Sequence, residues 1–255
     1  RYIDNSMTRL VIIATAALWT PAILDMVLAQ TGHLAALLAF ILLWTYEKKP
    51  VLAGVALGLL AFKPQYAIPL GLVALSKQNW TLLISAAVTF SLSCLTSALL
   101  YGWEMWPAFW QNAKALNTTI FHMESWLGAA ALLMQDNLAA INQLAIPVYG
   151  LGMLLLGSGL VLLGNRLDLL GAVSLAIAFT LVVSPNTHPY DLMLFTIPML
   201  YIIRYFSMRM WFAVIVYLVF FLPNIFVPLS ILRFCFLVLS FFLVLWIIRV
   251  QVKTE

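Results

Sequence analysis

The stretch Val51-Leu52-Ala53-Gly54-Val55-Ala56-Leu57-Gly58-Leu59-Leu60-Ala61-Phe62-Lys63-Pro64-Gln65-Tyr66-Ala67-Ile68-Pro69-Leu70-Gly71-Leu72-Val73-Ala74-Leu75-Ser76 decides how this chain folds. Two apolar runs of twelve and eleven residues, Val51–Phe62 and Tyr66–Ser76, flank Lys63-Pro64-Gln65. Crossing the roughly 30 Å hydrocarbon core of a bilayer takes about 20 helical residues, so neither run spans alone. Pro64 lacks a backbone donor and disfavours helical geometry at the residue before it, which ends one helix at Lys63 and starts another. The pair is either one long interrupted span or a re-entrant hairpin that dips in and returns.

The rest of the chain supplies the membrane setting. Hydrophobic residues make up 64% of its 255 residues, charged residues 9%, and the mean hydropathy is +1.04. A soluble domain carries about a quarter charged residues, so a water-soluble globule is excluded. Disordered and disulfide-scaffold classes are excluded with it. Further apolar runs cover Leu10–Leu28, Ala29–Tyr46, Trp80–Tyr101, Leu144–Gly164, Leu169–Pro185, Leu192–Phe206, Trp211–Phe226 and Pro228–Ile248. The first is long and has no small-residue cleavage site, so no cleavable signal peptide is expected. Cys94 and Cys235 lie inside apolar runs and read as packing residues. The net charge of +4 reports topology and not nucleic-acid binding.

Positive charge chooses between the two arrangements. With a re-entrant pair, Arg1, Arg9, Lys48, Lys49, Lys77, Arg166, Arg204, Arg209, Arg249 and Lys253 share the cytoplasmic side, against Lys114 and Arg233 outside. A single span flips everything after Ser76 and leaves six against six. The positive-inside rule favours the first. The expected fold is therefore all-α: a polytopic membrane helical bundle forming one transmembrane domain over 1–255. It has about eight spans, a re-entrant pair at 51–76, cytoplasmic termini, and an outer loop at 102–143 carrying interfacial helices.

This topology gathers four polar clusters on the outer face: Ala29-Gln30-Thr31-Gly32-His33, Lys63, the loop Gly102–Gln143, and Ser184-Pro185-Asn186-Thr187-His188-Pro189-Tyr190-Asp191. Lys63 is the most informative. An ammonium at membrane depth persists with a partner or a wet cavity, and a broken-helix tip suits an anion; a lysine snorkelling to the interface is the alternative. Asp191 reads either as a functional acid or as a first-turn carboxylate complementing the helix dipole. Asp25, an intramembrane carboxylate, is a weaker candidate, equally suited to anchoring helix packing. His33 and His122 read as interfacial residues, and no metal-ligand spacing is present. Gly54 and Gly58 form a small-xxx-small packing motif. Trp103, Trp106, Phe109 and Trp110 mark one interfacial helix, and Trp126–Ile141 a second.

The run from Val51 to Gln65 resembles the signature stretch of glycosyltransferase family 87, a GT-C group of integral membrane enzymes that includes polyprenyl-phosphate-mannose-dependent mannosyltransferases. Ala29-Gln30-Thr31-Gly32 is similar to that family's Gly-Gln turn, with alanine replacing glycine. Tyr101-Gly102-Trp103-Glu104-Met105-Trp106 and the late Ser-Pro…Tyr190-Asp191 turn also match. The resemblance implies a GT-C-like fold in a bacterial inner membrane, with its active site outside. It implies inverting transfer of mannose or another sugar from a polyprenyl-phosphate donor to a hydroxyl of a glycolipid or glycan acceptor, with no cofactor, metal or nucleic acid. It makes Lys63 the contact for the departing phosphate and gives it Gln65 and Gln30 as hydrogen-bonding support. His188, Tyr190 and Asp191 would contact or orient the phosphate or sugar. Family members carry their catalytic base in an outer loop between further N-terminal spans, so the resemblance also implies a truncated form, inactive alone. A transporter or lipid flippase with Lys63 and Asp25 lining its pathway, and a non-catalytic membrane subunit, are the competing readings.

Overall fold

The computed structural model describes residues 25–114, 123–163, 166–206 and 229–254. Among them every regular element is helical: α1 (Gly32–Thr45), α2 (Pro50–Leu60), α3 (Pro64–Ser76), α4 (Trp80–Tyr101), α5 (Met105–Lys114), α6 (Trp126–Leu133), α7 (Leu138–Leu163), α8 (Leu169–Val183), α9 (Thr196–Phe206) and α10 (Leu229–Thr254), with 3₁₀ turns at Gln135–Asn137 and Pro189–Phe195. Most of the Leu10–Leu28 run, the Trp211–Phe226 run and His122 lie outside the described residues.

Proline sets the central hairpin. Pro50 and Pro64 occupy the first turns of α2 and α3, where a missing N–H leaves no bond unmade. Lys63, driven out of helical geometry by Pro64, has φ −119° and ψ 78° and separates the two helices. Pro69 inside α3 cannot donate to the carbonyl of Gln65, four residues earlier. The Tyr149 hydroxyl of α7 donates to that carbonyl instead, at 3.1 Å.

Gly54 and Gly58 show how α2 packs. A Cβ at Gly54 would come within 2.6 Å of the Ser85 Cβ, and one at Gly58 within 2.6 Å of the Thr89 Cβ. The two glycines therefore let α2 lie backbone-to-backbone on α4, as the small-xxx-small motif predicts. The order of these contacts shows that α2 and α4 run parallel, so α3 returns between them. The Asn79 amide reaches the Tyr46 carbonyl at 3.5 Å, closing the base of this hairpin opposite its Lys63 tip.

The core centres on α8, where Ala172 to Ala178 are all buried, surrounded by α3, α7, α9 and α10. Asp168 caps α8 by accepting from the Gly171 N–H at 2.7 Å, and Asn79 caps α4 by accepting from Leu82 N–H at 3.2 Å. At the same end of the bundle the Lys77 ammonium donates to the Leu167 carbonyl, and Arg204 lies 3.5 Å from Asp168. Burial at that end lowers the Lys77 ammonium from its ordinary value, against the opposing pull of Asp168. Two helical stretches among the described residues, Trp80–Tyr101 and Gln135–Leu163, are long and apolar enough to cross a membrane. Large apolar side chains such as Leu99, Leu154 and Leu162 stand more than 70% exposed on them, a surface suited to lipid and not to water.

Two expected elements differ in detail. The Trp126–Ile141 helix is interrupted, because Met134 leaves helical geometry at φ −130° and Gln135–Asn137 form a 3₁₀ turn. Leu127 and Ala131 face Met123, Ile141 and Ala145 in a small protein cluster, and Trp126 Nε1 donates to the Val183 carbonyl at 3.0 Å. This segment is thus docked over the end of α8. The Leu192–Phe206 run likewise begins as the 3₁₀ turn Pro189–Phe195, and α-helix starts only at Thr196. Of the two cysteines, Cys94 is half-buried and Cys235 exposed, and both are free.

Candidate functional site

The hairpin tip carries Lys63 into the end of the bundle opposite Tyr46, Lys77 and Asp168. Its Nζ lies 2.5 Å from Asp191 Oδ1, and both side chains are buried. Asp191 is the third residue of the 3₁₀ turn that begins at Pro189, directly after His188. Its other oxygen accepts from the His188 backbone N–H at 3.0 Å, while the His188 ring accepts from the Asp191 N–H in a reciprocal capping box. One carboxylate therefore closes the turn and neutralises the hairpin tip. The helix-start reading of Asp191 describes its capping contacts, and the pairing with Lys63 is a further contact that local sequence does not announce.

Tyr190 links the remaining groups. Lys63 Nζ stands 5.0 Å from the centroid of its ring, and His188 stacks on that ring at 5.2 Å with planes 20° apart. The first contact is a cation–π arrangement in a poorly hydrated place, where it is worth most. Burial, with Asp191 and Asp25 nearby, pushes the Tyr190 phenol well above its usual range. On its backbone side Tyr190 meets α1: a Cβ at Gly32 would fall 2.7 Å from the Tyr190 carbonyl and 2.7 Å from Asp25 Oδ1. Only glycine permits this approach.

Asp25 is 1% exposed and anchors the start of α1. It accepts from the Gly32 N–H at 2.7 Å, from the His33 N–H at 2.8 Å, and from His33 Nδ1. Three donors on one buried carboxylate explain how it is tolerated there. Gln30 lies outside this cluster: it is exposed, and its amide turns back to the Leu28 carbonyl at 3.2 Å. Gln65 is half-buried one residue beyond the hairpin break, with its carbonyl held by Tyr149.

Sequence reasoning missed three contributors. Tyr66 is 1% exposed and its hydroxyl lies beside Asp191 and Thr187; its spacing of three from Lys63 in a helix starting at Pro64 is the signal that would have found it. Glu124 is 1% exposed, and its backbone N–H donates to the Thr187 carbonyl at 2.7 Å. That bond brings the long loop onto the Ser184–Asp191 turn, and nothing in local spacing announces it. Tyr149 reads in sequence only as one aromatic in an apolar run.

The four polar clusters thus converge: α1 and the residues before it, the hairpin tip, the long loop and the late turn meet at one end of the bundle. Among the described residues no group of three or more His, Cys, Asp or Glu is arranged to hold a metal. Neither a curated protein nor a solved structure matches the chain. A family model does, over residues 2–185, taking in α1, the hairpin with Lys63, α4 and α8 and stopping just short of the His188–Asp191 turn. With most of its length and the Lys63 hairpin inside that match, the chain belongs to glycosyltransferase family 87.

Proposed function

We propose that this glycosyltransferase transfers a sugar, mannose or another hexose or pentose, from a polyprenyl-phosphate donor to a hydroxyl of a glycolipid or glycan acceptor. In this reading the enzyme sits in the bacterial inner membrane, multi-pass with cytoplasmic termini and about eight spans. The α2–α3 hairpin is re-entrant, and the Lys63 end faces outward. The parallel course of α2 and α4 and the ten-against-two distribution of basic residues support that orientation.

The observation that carries the proposal is the buried Lys63–Asp191 pair at the tip of a broken helix. Inverting transfer forms a bond from the acceptor oxygen to the anomeric carbon as the carbon–oxygen bond to phosphate breaks, with its electron pair going to the phosphate. Negative charge grows on that phosphate, and a fixed ammonium stabilises it more than it stabilises the ground state. Lys63 has three donors and gives one to Asp191, leaving two for phosphate oxygens. Asp191 and the Tyr190 ring hold the ammonium in place, and His188 lies beside them for the phosphate or sugar. Gln65 and Gln30 are hydrogen-bonding candidates at the rim. This chemistry requires no metal. The acceptor's proton needs a base, which is not assigned to these residues.

The test compares donors. Membranes containing the full-length protein should transfer radiolabelled sugar from polyprenyl-phosphate sugars and not from nucleotide sugars. Transfer from nucleotide sugars alone would remove the proposal. A cysteine at position 188 should react with impermeant reagent from outside and one at position 166 only from the cytoplasm; the reverse pattern would overturn the orientation.

A further inference from the structure

We infer that the groove between α1 and the α8–α9 pair, at the end of the bundle opposite Lys63, binds a phospholipid with a primary-ammonium head, phosphatidylethanolamine. Its phosphate lies on Arg204 and its ammonium on Glu47. Occupancy of this groove is independent of the donor reading above.

Packing leaves the groove open. α1 rests on α2 and on the Pro189–Phe195 turn, whereas α8 rests on α3, α9 and α10. Between the two groups lies a cavity of about 490 Å³, a size that suits a small-molecule ligand. Phe40, Leu43, Trp44 and Glu47 form one wall, and their spacing puts them on a single face of α1 and its continuation. That wall changes from apolar to acidic toward the end of the helix. Across the groove Leu169 opens α8 just after Asp168, which Arg204 of α9 meets at 3.5 Å. Both walls therefore turn from apolar to charged toward the same end. Trp44, 86% exposed, marks that end as an interface, where indole rings sit at the level of lipid head groups. A phospholipid has the same order, with a charged head at the interface and acyl chains below it.

Charge selects the head. The acids Glu47 and Asp168 and the base Arg204 are the charged side chains that line the groove. Asp168 is already committed: Oδ1 accepts from the Gly171 N–H, and Oδ2 is the oxygen nearest Arg204. The Asp168 and Arg204 side chains are 43% and 69% exposed, and a surface pair of this kind is weak. The planar guanidinium fork can therefore take a phosphate as well. The Glu47 side chain has no hydrogen bond or ion pair among the described residues. It follows the C-terminus of α1, where the helix dipole disfavours an anion and favours a cation. Lys48 and Lys49 come next in the chain, but neither lines the groove. A primary ammonium supplies the cation, with three N–H donors for Glu47 and the end of α1. Phosphatidylcholine has the positive charge without an N–H donor. Phosphatidylglycerol brings a phosphate without any cation and faces two carboxylates.

The test is native mass spectrometry of the full-length protein in detergent, titrated with phosphatidylethanolamine, phosphatidylcholine and phosphatidylglycerol of matched chains. Wild type should bind the first about five- to tenfold more tightly than the others, the effect of one charge-assisted contact at a partly exposed site. Glu47→Gln should bring the ethanolamine and choline lipids within about twofold of each other. Arg204→Gln should weaken both by a similar factor, and unchanged binding would overturn the phosphate contact. Soluble glycerophosphoethanolamine has no chains to lay on Phe40 and Leu169 and should not compete at the same concentration; equal competition would overturn a lipid as the occupant. Equal wild-type affinities, a preference for phosphatidylglycerol, or a Glu47→Gln protein that keeps the wild-type preference overturns the site, and each leaves the donor reading standing.

Discussion

Lys63 Nζ and Asp191 Oδ1 lie 2.5 Å apart although 128 residues of chain separate them, and this pair locks the hairpin tip to the turn after α8. Removing one member leaves the other buried and unpaired, which costs about 3–5 kcal/mol. Lys63→Met or Asp191→Asn alone should therefore lower the unfolding midpoint in detergent sharply. The Lys63→Met/Asp191→Asn protein should recover part of the loss, because no isolated charge remains. Additive losses in the double variant would show that the two residues do not interact.

Tyr149 stands in for the bond that Pro69 cannot make. Tyr149→Phe keeps the ring and leaves the Gln65 carbonyl without its donor, and a lost bond of this kind costs about 1–3 kcal/mol. The same substitution in a Pro69→Ala background should be closer to neutral, since the restored N–H can serve the carbonyl. An equal loss in both backgrounds would dissociate Tyr149 from the proline.

The glycines of this chain are not equivalent. A Cβ at Gly58 meets the α4 backbone and Thr89, whereas a Cβ at Gly71 meets nothing within 4 Å. Gly58→Val should separate α2 from α4 and destabilise by at least the roughly 1–3 kcal/mol of an overpacked core. Gly71→Ala should be neutral or stabilise by about 0.5–1 kcal/mol through helix propensity. Size-exclusion profiles and thermal unfolding compare the two directly, and equal behaviour would contradict the packing described for α2.

Ala29 adopts φ +49° in the turn before α1, where L-residues with a Cβ are strained by about 1–2 kcal/mol. Ala29→Gly should therefore raise the melting temperature. A fall would mean that this backbone is not left-handed in the folded protein.

Much of this was legible in sequence because proline and charge act locally. Lys63-Pro64-Gln65 announced a helix break, which the non-helical Lys63 between α2 and α3 displays. Gly54 and Gly58 announced a close helix contact. What stayed hidden depends on tertiary placement. The partnership of Lys63 with Asp191 joins two distant segments, and the burial of Glu124 follows from a loop folding onto another loop. Asp25 read equally as a site residue or a packing anchor. Its three hydrogen-bond donors account for the anchor. The Trp126–Ile141 pattern had helical periodicity, but the polar Gln135-Asp136-Asn137 turn interrupts it where the chain must redirect into α7.

The central claim is that Lys63 stabilises a departing polyprenyl phosphate. Its most direct test is the rate of sugar transfer from a saturating polyprenyl-phosphate donor by the full-length protein and by the Lys63→Met/Asp191→Asn variant, whose buried site holds no unpaired charge. Loss of one transition-state charge contact is expected to reduce kcat by about 100-fold or more in protein that remains folded. A folded double variant that transfers sugar at the wild-type rate would contradict the account.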